Sequence, residues 1–227
     1  MNDIATPKLI KQVIIKVIFS LLFICLLLFV PAGTLKYWNG WLFIGALFIP
    51  MFFVMLYLLR NDPDLLQKRM KTKEKEEVQK VYLFLSIVIC FLTFAIPGLD
   101  FRYQWSEVPL WLVILATGIM MGGYFMFFTV MKQNSYASRV IEIQEGQKLI
   151  DTGLYGLVRH PMYLSATIMY VAMPLILGSY WSLIPVLFLP LLLAIRILNE
   201  EKVLKNNLPG YEQYMQKIKY RLIPFIW

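Results

Sequence analysis

Residues 162–198 read MYLSATIMYVAMPLILGSYWSLIPVLFLPLLLAIRIL, and the fold turns on how often this run crosses a membrane. A helix needs about 20 residues to span about 30 Å of hydrocarbon, so the run is too long for one crossing. Gly178 and Ser179 sit near its middle, where a tight turn is expected. The run therefore predicts a hairpin of two membrane helices. Pro185 and Pro190 make the returning helix irregular.

The rest of the composition agrees. Hydrophobic residues make up 59 % of the 227 positions and charged residues 16 %, with a mean hydropathy of +0.63. A soluble domain is nearer 45–50 % apolar. The expected class is an all-α integral membrane protein, too short to carry a separate soluble catalytic domain. A net charge of +8 reads here as basic loops on an anionic cytoplasmic leaflet, and no nucleic-acid or protein partner is expected. Cys25 and Cys90 lie inside apolar runs, with neither disulfide framework nor metal spacing. The N-terminal apolar stretch lacks a small-residue cleavage site and reads as a retained helix.

Four further spans precede the hairpin, over 13–30, 38–59, 81–99 and 108–131. Pro50 is expected to kink the second. Gly118 and Gly122, four apart, share a face of the fourth span and are expected to allow close helix packing. The charged stretch 60–80 reads as a solvated cytosolic helix or loop. The tail 199–227 reads as amphipathic and interfacial, with Tyr211, Tyr214 and Tyr220 as surface anchors.

Orientation follows from the basic residues. With the N-terminus inside, every Lys and Arg except Lys36 and Arg102 falls on an inner segment. This supports about six spans with both termini cytosolic. Two regions result, 1–131 as an N-terminal transmembrane region of four spans and 132–227 as a loop, helical hairpin and tail. A single crossing over 162–198 would put the basic tail outside, against the pattern.

The hairpin brings its two ends together at the cytosolic face. One end is Gly153-Leu154-Tyr155-Gly156-Leu157-Val158-Arg159-His160-Pro161-Met162-Tyr163, which holds the chain's one histidine. Pro161 suits a first helical position, because its absent N–H would be unbonded there anyway. The first-turn N–H groups form a place for an anionic group. For these residues alone, a membrane helix start with basic and aromatic anchors is the favoured reading. The other end carries Arg196 and Glu200, spaced i,i+4, followed by Glu201. A surface salt bridge is the plain alternative for that pair.

Several chemistries are set aside. No Cys or Asp accompanies the histidine as a triad requires. No metal-ligand spacing, G-x-G-x-x-G or P-loop is present. What remains is a site that binds and aligns, suited to displacement from an activated donor.

Gly153-x-Tyr155-x-x-Val158-Arg159-His160-Pro161-x-Tyr163, then Arg196-x-x-x-Glu200-Glu201-x-x-Leu204, Gly210-Tyr211-x-x-Tyr214 and Arg221-Leu222-Ile223-Pro224, resembles the isoprenylcysteine carboxyl methyltransferase family and related phospholipid methyltransferase-like membrane proteins. The resemblance spans about 139–224. It implies S-adenosyl-L-methionine at the cytosolic face, contacted by Gln147, Lys148, Leu149, Ile150, Tyr155, His160, Pro161, Met162, Tyr163 and Glu200, with Glu142 as a further contact. Arg196 is implied as the residue that orients the substrate, and no metal is implied. The chain departs from the family at Gln147, where many relatives carry His, and at Ser165, where Gly is usual.

The function expected is methyl transfer to a membrane-embedded substrate, foremost carboxyl O-methylation of a prenylcysteine-like or other lipophilic carboxylate. Such a nucleophile is ionised at neutral pH and needs no base. The alternative is N-methylation of a lipid amine, with Glu201 as base. More distant is an NADPH-dependent membrane reductase, because sterol reductases share an Arg-His-x-x-Tyr stretch. Their pattern has Asn before the Tyr and Gly-Asp soon after, where this chain has Met162, Ser165 and Ala166. A non-enzymatic membrane scaffold is the remaining alternative.

Overall fold

The computed structural model describes residues 7–70, 77–141 and 143–227, and within 77–81 the backbone alone. The described residues form helices and connecting turns, with no strand among them. In order these are α1 Pro7–Ala32, α2 Trp38–Asn61, α3 Pro63–Met70, α4 Glu77–Tyr103, α5 Leu110–Gln133, α6 Pro161–Ile176, α7 Leu183–Val186, α8 Leu189–Asn207 and α9 Tyr211–Lys217. The four spans expected ahead of the hairpin correspond to α1, α2, α4 and α5. Of the charged stretch 60–80, the segment 63–70 is helix α3, with the Asp62 carboxylate accepting the Leu65 N–H at 2.9 Å.

Among the described residues, five helices are long and apolar enough to cross a membrane: α1, α2, α4 from Tyr82, α5, and Leu183–Asn207 taken as one. The chain is thus a multi-pass membrane protein by length and composition. The remaining arm, α6, is apolar but has 16 residues. That is about 24 Å of rise, short of about 30 Å of hydrocarbon. The returning arm is broken as its prolines demand. Pro190 has no N–H to offer the Val186 carbonyl, and the chain relaxes into turns at Leu187 and Phe188 before α8 resumes.

The hairpin tip lies where expected. Gly178 has φ +74°, and an added Cβ would come within 3.1 Å of the Asn39 amide. Asn39 donates to the Ile176 carbonyl at 2.9 Å, and the Tyr37 hydroxyl donates to Leu177. Ser179 donates to the Asp100 carboxylate at 2.5 Å, and Ser182 to the Thr93 carbonyl at 2.8 Å. Asp100 is buried and also accepts from the Ser106 N–H at 2.8 Å and its hydroxyl at 2.6 Å. These bonds seat the tip against the start of α2 and the end of α4. The opposite ends of α6 and α8 carry His160 and the Arg196–Glu201 stretch.

The face by which α5 packs differs from expectation. An added Cβ at Gly118 or Gly122 meets nothing within 4 Å, so these glycines do not make the close approach. Gly123 does. A Cβ there would lie 2.7 Å from Met169 Cγ and 3.2 Å from the Ser165 carbonyl of α6. Ser165 itself is fully buried, its hydroxyl donating to the Met162 carbonyl at 2.7 Å.

Candidate functional site

Pro161 opens α6 directly after His160, and the Leu164 N–H bonds back to the His160 carbonyl at 3.1 Å. The segment before it is pinned by the tail. The Arg159 N–H donates to the Tyr220 carbonyl and the His160 N–H to the Arg221 carbonyl, both at 2.9 Å. The tail therefore folds back over the start of α6. Tyr211 and Tyr214, one turn apart on α9, point inward and are buried with Ile143, Leu149, Leu204, Leu208 and Met215. Their expected role as surface anchors is corrected: a three-residue spacing serves a buried face as well as an interfacial one.

Between the 134–150 loop, the start of α6, the end of α8 and the tail lies a cavity of about 100 Å³ that opens to the surface. Gln147, Lys148, Leu149 and Ile150 line it from the loop. Tyr155, His160, Pro161, Met162 and Tyr163 line it from the turn and α6, and Arg196 and Glu200 from α8. Glu142 lies outside the described residues.

Arg196 and Glu200 are joined through a third group. The Arg196 Nε donates to the Tyr163 hydroxyl at 2.8 Å, and that hydroxyl donates to Glu200 Oε2 at 2.5 Å. Arg196 Nη2 also donates to the Arg139 carbonyl at 2.6 Å. Its guanidinium sits 4.9 Å from the centre of the Tyr82 ring on α4. Arg196 is thus fixed at two nitrogens and on one face, through α6, the loop and α4.

His160 faces a different carboxylate. Its Nε2 lies 3.2 Å from Glu201 Oε1, and Arg159 Nε lies 2.9 Å from the same oxygen as an ion pair without hydrogen-bond alignment. Arg221 Nε donates to Glu201 Oε2 at 2.9 Å. Glu201 is 4 % exposed, so this carboxylate is buried among three basic groups.

The tyrosines form a second network. The Tyr155 hydroxyl accepts from Asn134 at 2.8 Å, and the Tyr155 carbonyl accepts from the Tyr214 hydroxyl at 2.8 Å. Burial pushes the Tyr155 phenol up to about 12, so it is protonated at neutral pH. Burial likewise raises Tyr211, helped by the nearby Glu201 and Glu200 charges. The Tyr211 hydroxyl is buried and has no hydrogen-bond partner among the described residues. Gln147 Oε1 accepts the Gln144 N–H at 3.0 Å and closes the loop turn.

Reading the sequence residue by residue missed several groups now at the site. Arg139, Tyr136 and Asn134 reach it from the loop, and Tyr82 from α4. Arg69 of α3 donates to the Ala137 carbonyl at 2.9 Å and lies 3.4 Å from Met162 Sδ. For Tyr211 and Tyr214 the Gly-Tyr-x-x-Tyr motif was the available signal. For Tyr82 and Arg69 no local pattern exists.

Residues 111–209 match a family model described as phospholipid methyltransferase. That family belongs to the same membrane methyltransferase group as the resemblance read from the His160 and Arg196 motifs. The delta(14)-sterol reductase TM7SF2 of Mus musculus is 34 % identical over 86 residues, which are 36 % of this chain. The matched part is 20 % of that reductase, so the chain spans about a fifth of its length.

Proposed function

Because residues 111–209 carry the phospholipid methyltransferase family pattern, we propose that this chain is an S-adenosylmethionine-dependent methyltransferase acting on a lipophilic carboxylate held in the membrane. Under this reading 132–227 is the catalytic region, 1–131 the membrane support, and the site faces the cytosol. The residues around the cavity fit such a donor. Glu200 offers carboxylate lone pairs, the Tyr211 hydroxyl lacks a protein partner, and Ile143, Leu149 and Leu204 supply apolar walls. S-Adenosylmethionine, when bound, supplies an electrophilic methyl group.

The protein's part is placement. One observation carries the proposal: the Tyr163 hydroxyl couples Arg196 to Glu200 across α6 and α8 at the cavity wall. Arg196, held at Nε and Nη2 and stacked on Tyr82, presents a fixed positive charge to an acceptor carboxylate. Glu200 is held by the same hydroxyl on the donor side. Acceptor and donor are thereby aligned through one shared side chain, which is the main source of rate in a displacement. No proton needs removing from a carboxylate, which agrees with Glu201 being sequestered by Arg159, His160 and Arg221.

N-methylation of a lipid amine is the second reading, favoured by the description of the matched family. It needs a base, and Glu200 is the carboxylate that lines the cavity among the described residues. Partial similarity to a sterol reductase keeps an NADPH site as a third reading. Membranes containing the protein, given methyl-labelled S-adenosylmethionine and analysed by mass spectrometry, separate these. A carboxyl ester releases labelled methanol in alkali, whereas an N-methyl lipid keeps its label. Alkali-stable lipid label would overturn the carboxylate assignment. No label at all, with the protein stabilised thermally by NADPH and not by S-adenosylmethionine, would overturn methyl transfer.

A further inference from the structure

We propose that the Tyr211 hydroxyl binds the nucleoside base of the methyl donor, an inference that rests on the reading above and deepens it. Tyr211 is 4 % exposed, lines the cavity, and has a hydroxyl without a partner among the described residues. A buried phenol usually finds one. Its neighbours do: Tyr214 donates to the Tyr155 carbonyl, the Tyr155 hydroxyl accepts from Asn134, and Tyr163 bridges Arg196 and Glu200. The one tyrosine left open in this group therefore points to a group from outside the chain.

The surroundings define what that group is. The Tyr211 ring is held by Tyr214, with centroids 5.6 Å apart, and shares a slot with Ile143, Leu149 and Leu204. Apolar walls with one hydroxyl suit a flat heteroaromatic ring that presents an acceptor nitrogen on its edge. An open hydroxyl donor suits the acceptor nitrogen on the edge of an adenine ring, where hypoxanthine carries an N–H instead.

The test uses the full chain in detergent, titrated calorimetrically with S-adenosylhomocysteine and with S-inosylhomocysteine. Tyr211→Phe breaks no hydrogen bond within the protein, so the melting temperature of the ligand-free protein is expected to stay level or rise. Its affinity for S-adenosylhomocysteine is expected to fall about 3- to 10-fold, the size of one net hydrogen bond. The wild-type preference for the adenosine compound shrinks by a similar factor. Tyr214→Phe, which loses the bond to Tyr155, lowers the melting temperature instead. Equal binding by wild type and Tyr211→Phe, or an unaltered base preference, overturns the inference while leaving the donor reading intact. A several-degree fall in the melting temperature of ligand-free Tyr211→Phe makes the hydroxyl structural and also overturns it. If the wild type shows no saturable binding of S-adenosylhomocysteine, the donor reading fails and this inference with it.

Discussion

Tyr163 has one hydroxyl and serves two charged groups, accepting from Arg196 and donating to Glu200. Hydrogen bonds to charged partners contribute about 1.5–3 kcal/mol each. Tyr163→Phe keeps the ring and removes both; with the equivalent of one such bond felt in the transition state, methyl-transfer kcat/KM is expected to fall about 10- to 100-fold. Initial rates with the labelled donor measure this; a change under threefold would rule out the bridge. Glu201 makes the opposite kind of contribution, holding the tail to the His160 segment through Arg159, His160 and Arg221. Glu201→Gln leaves the Arg159 and Arg221 guanidinium groups facing a neutral amide, and about 3 kcal/mol of stability is expected to go. For a chain of this size that is a melting-temperature drop of roughly 6–12 °C. An intact melting temperature with lost activity would instead make Glu201 a reacting group. The motif made Glu200 and Glu201 visible together, but sequence could not divide their roles. Adjacent residues on a helix point about 100° apart, and only the packed tail shows which one meets the cations. The two departures are also explained locally: Gln147 closes the loop turn, and Ser165 satisfies its hydroxyl on Met162.

The hairpin of α6, α7 and α8 was legible because its signals are local: a long apolar run, a glycine turn and two prolines. Helix faces were not. A membrane helix is apolar all round, so hydropathy does not say which side meets protein and which meets lipid. That is why Gly118 and Gly122, matched to a common packing spacing, face open space while Gly123 makes the contact. Alanine separates the cases. Gly123→Ala must push Met169 aside and press on the Ser165 carbonyl, a backbone atom that cannot rotate away. Overpacking of this sort costs about 1–3 kcal/mol. Gly118→Ala and Gly122→Ala are expected to leave the melting temperature level or slightly higher, since alanine is the better helix former. If all three variants melt alike in detergent, α5 does not meet α6 at Gly123. Helix α3 shows the same limit at longer range. Arg69 was read as one charge in a solvated stretch, yet it reaches the Ala137 carbonyl and packs over Phe127. Its partners lie far along the chain, and no periodicity announces them.

At the scale of the molecule, two polar clusters mark the two ends of the helical body. One holds Arg159, His160, Arg196, Glu200 and Glu201; the other holds Tyr37, Asn39, Asp100, Ser106 and Ser179 around the hairpin tip. Ser179 reaches Asp100 at the end of α4, whereas Arg196 reaches Tyr82 at the start of that helix. The hairpin therefore runs the length of α4, although α6 alone is only 16 residues. Positive-inside asymmetry then makes a firm prediction, because Lys36 and Arg102 belong to the tip end and the other basic side chains among the described residues to the site end. In a background with Cys25 and Cys90 replaced by alanine, Lys36→Cys, Arg102→Cys and Tyr180→Cys are expected to react with a membrane-impermeant maleimide in intact cells. Lys148→Cys and Lys219→Cys are expected to react only once the membrane is opened. Labelling of Lys148→Cys in intact cells would invert the protein and put the site on the outer face. Labelling of Lys36→Cys but not Tyr180→Cys would mean that the tip stays within the bilayer, leaving four full crossings and a re-entrant hairpin. The measurement thus fixes orientation and span number together, and both bear on which side of the membrane must supply the methyl donor.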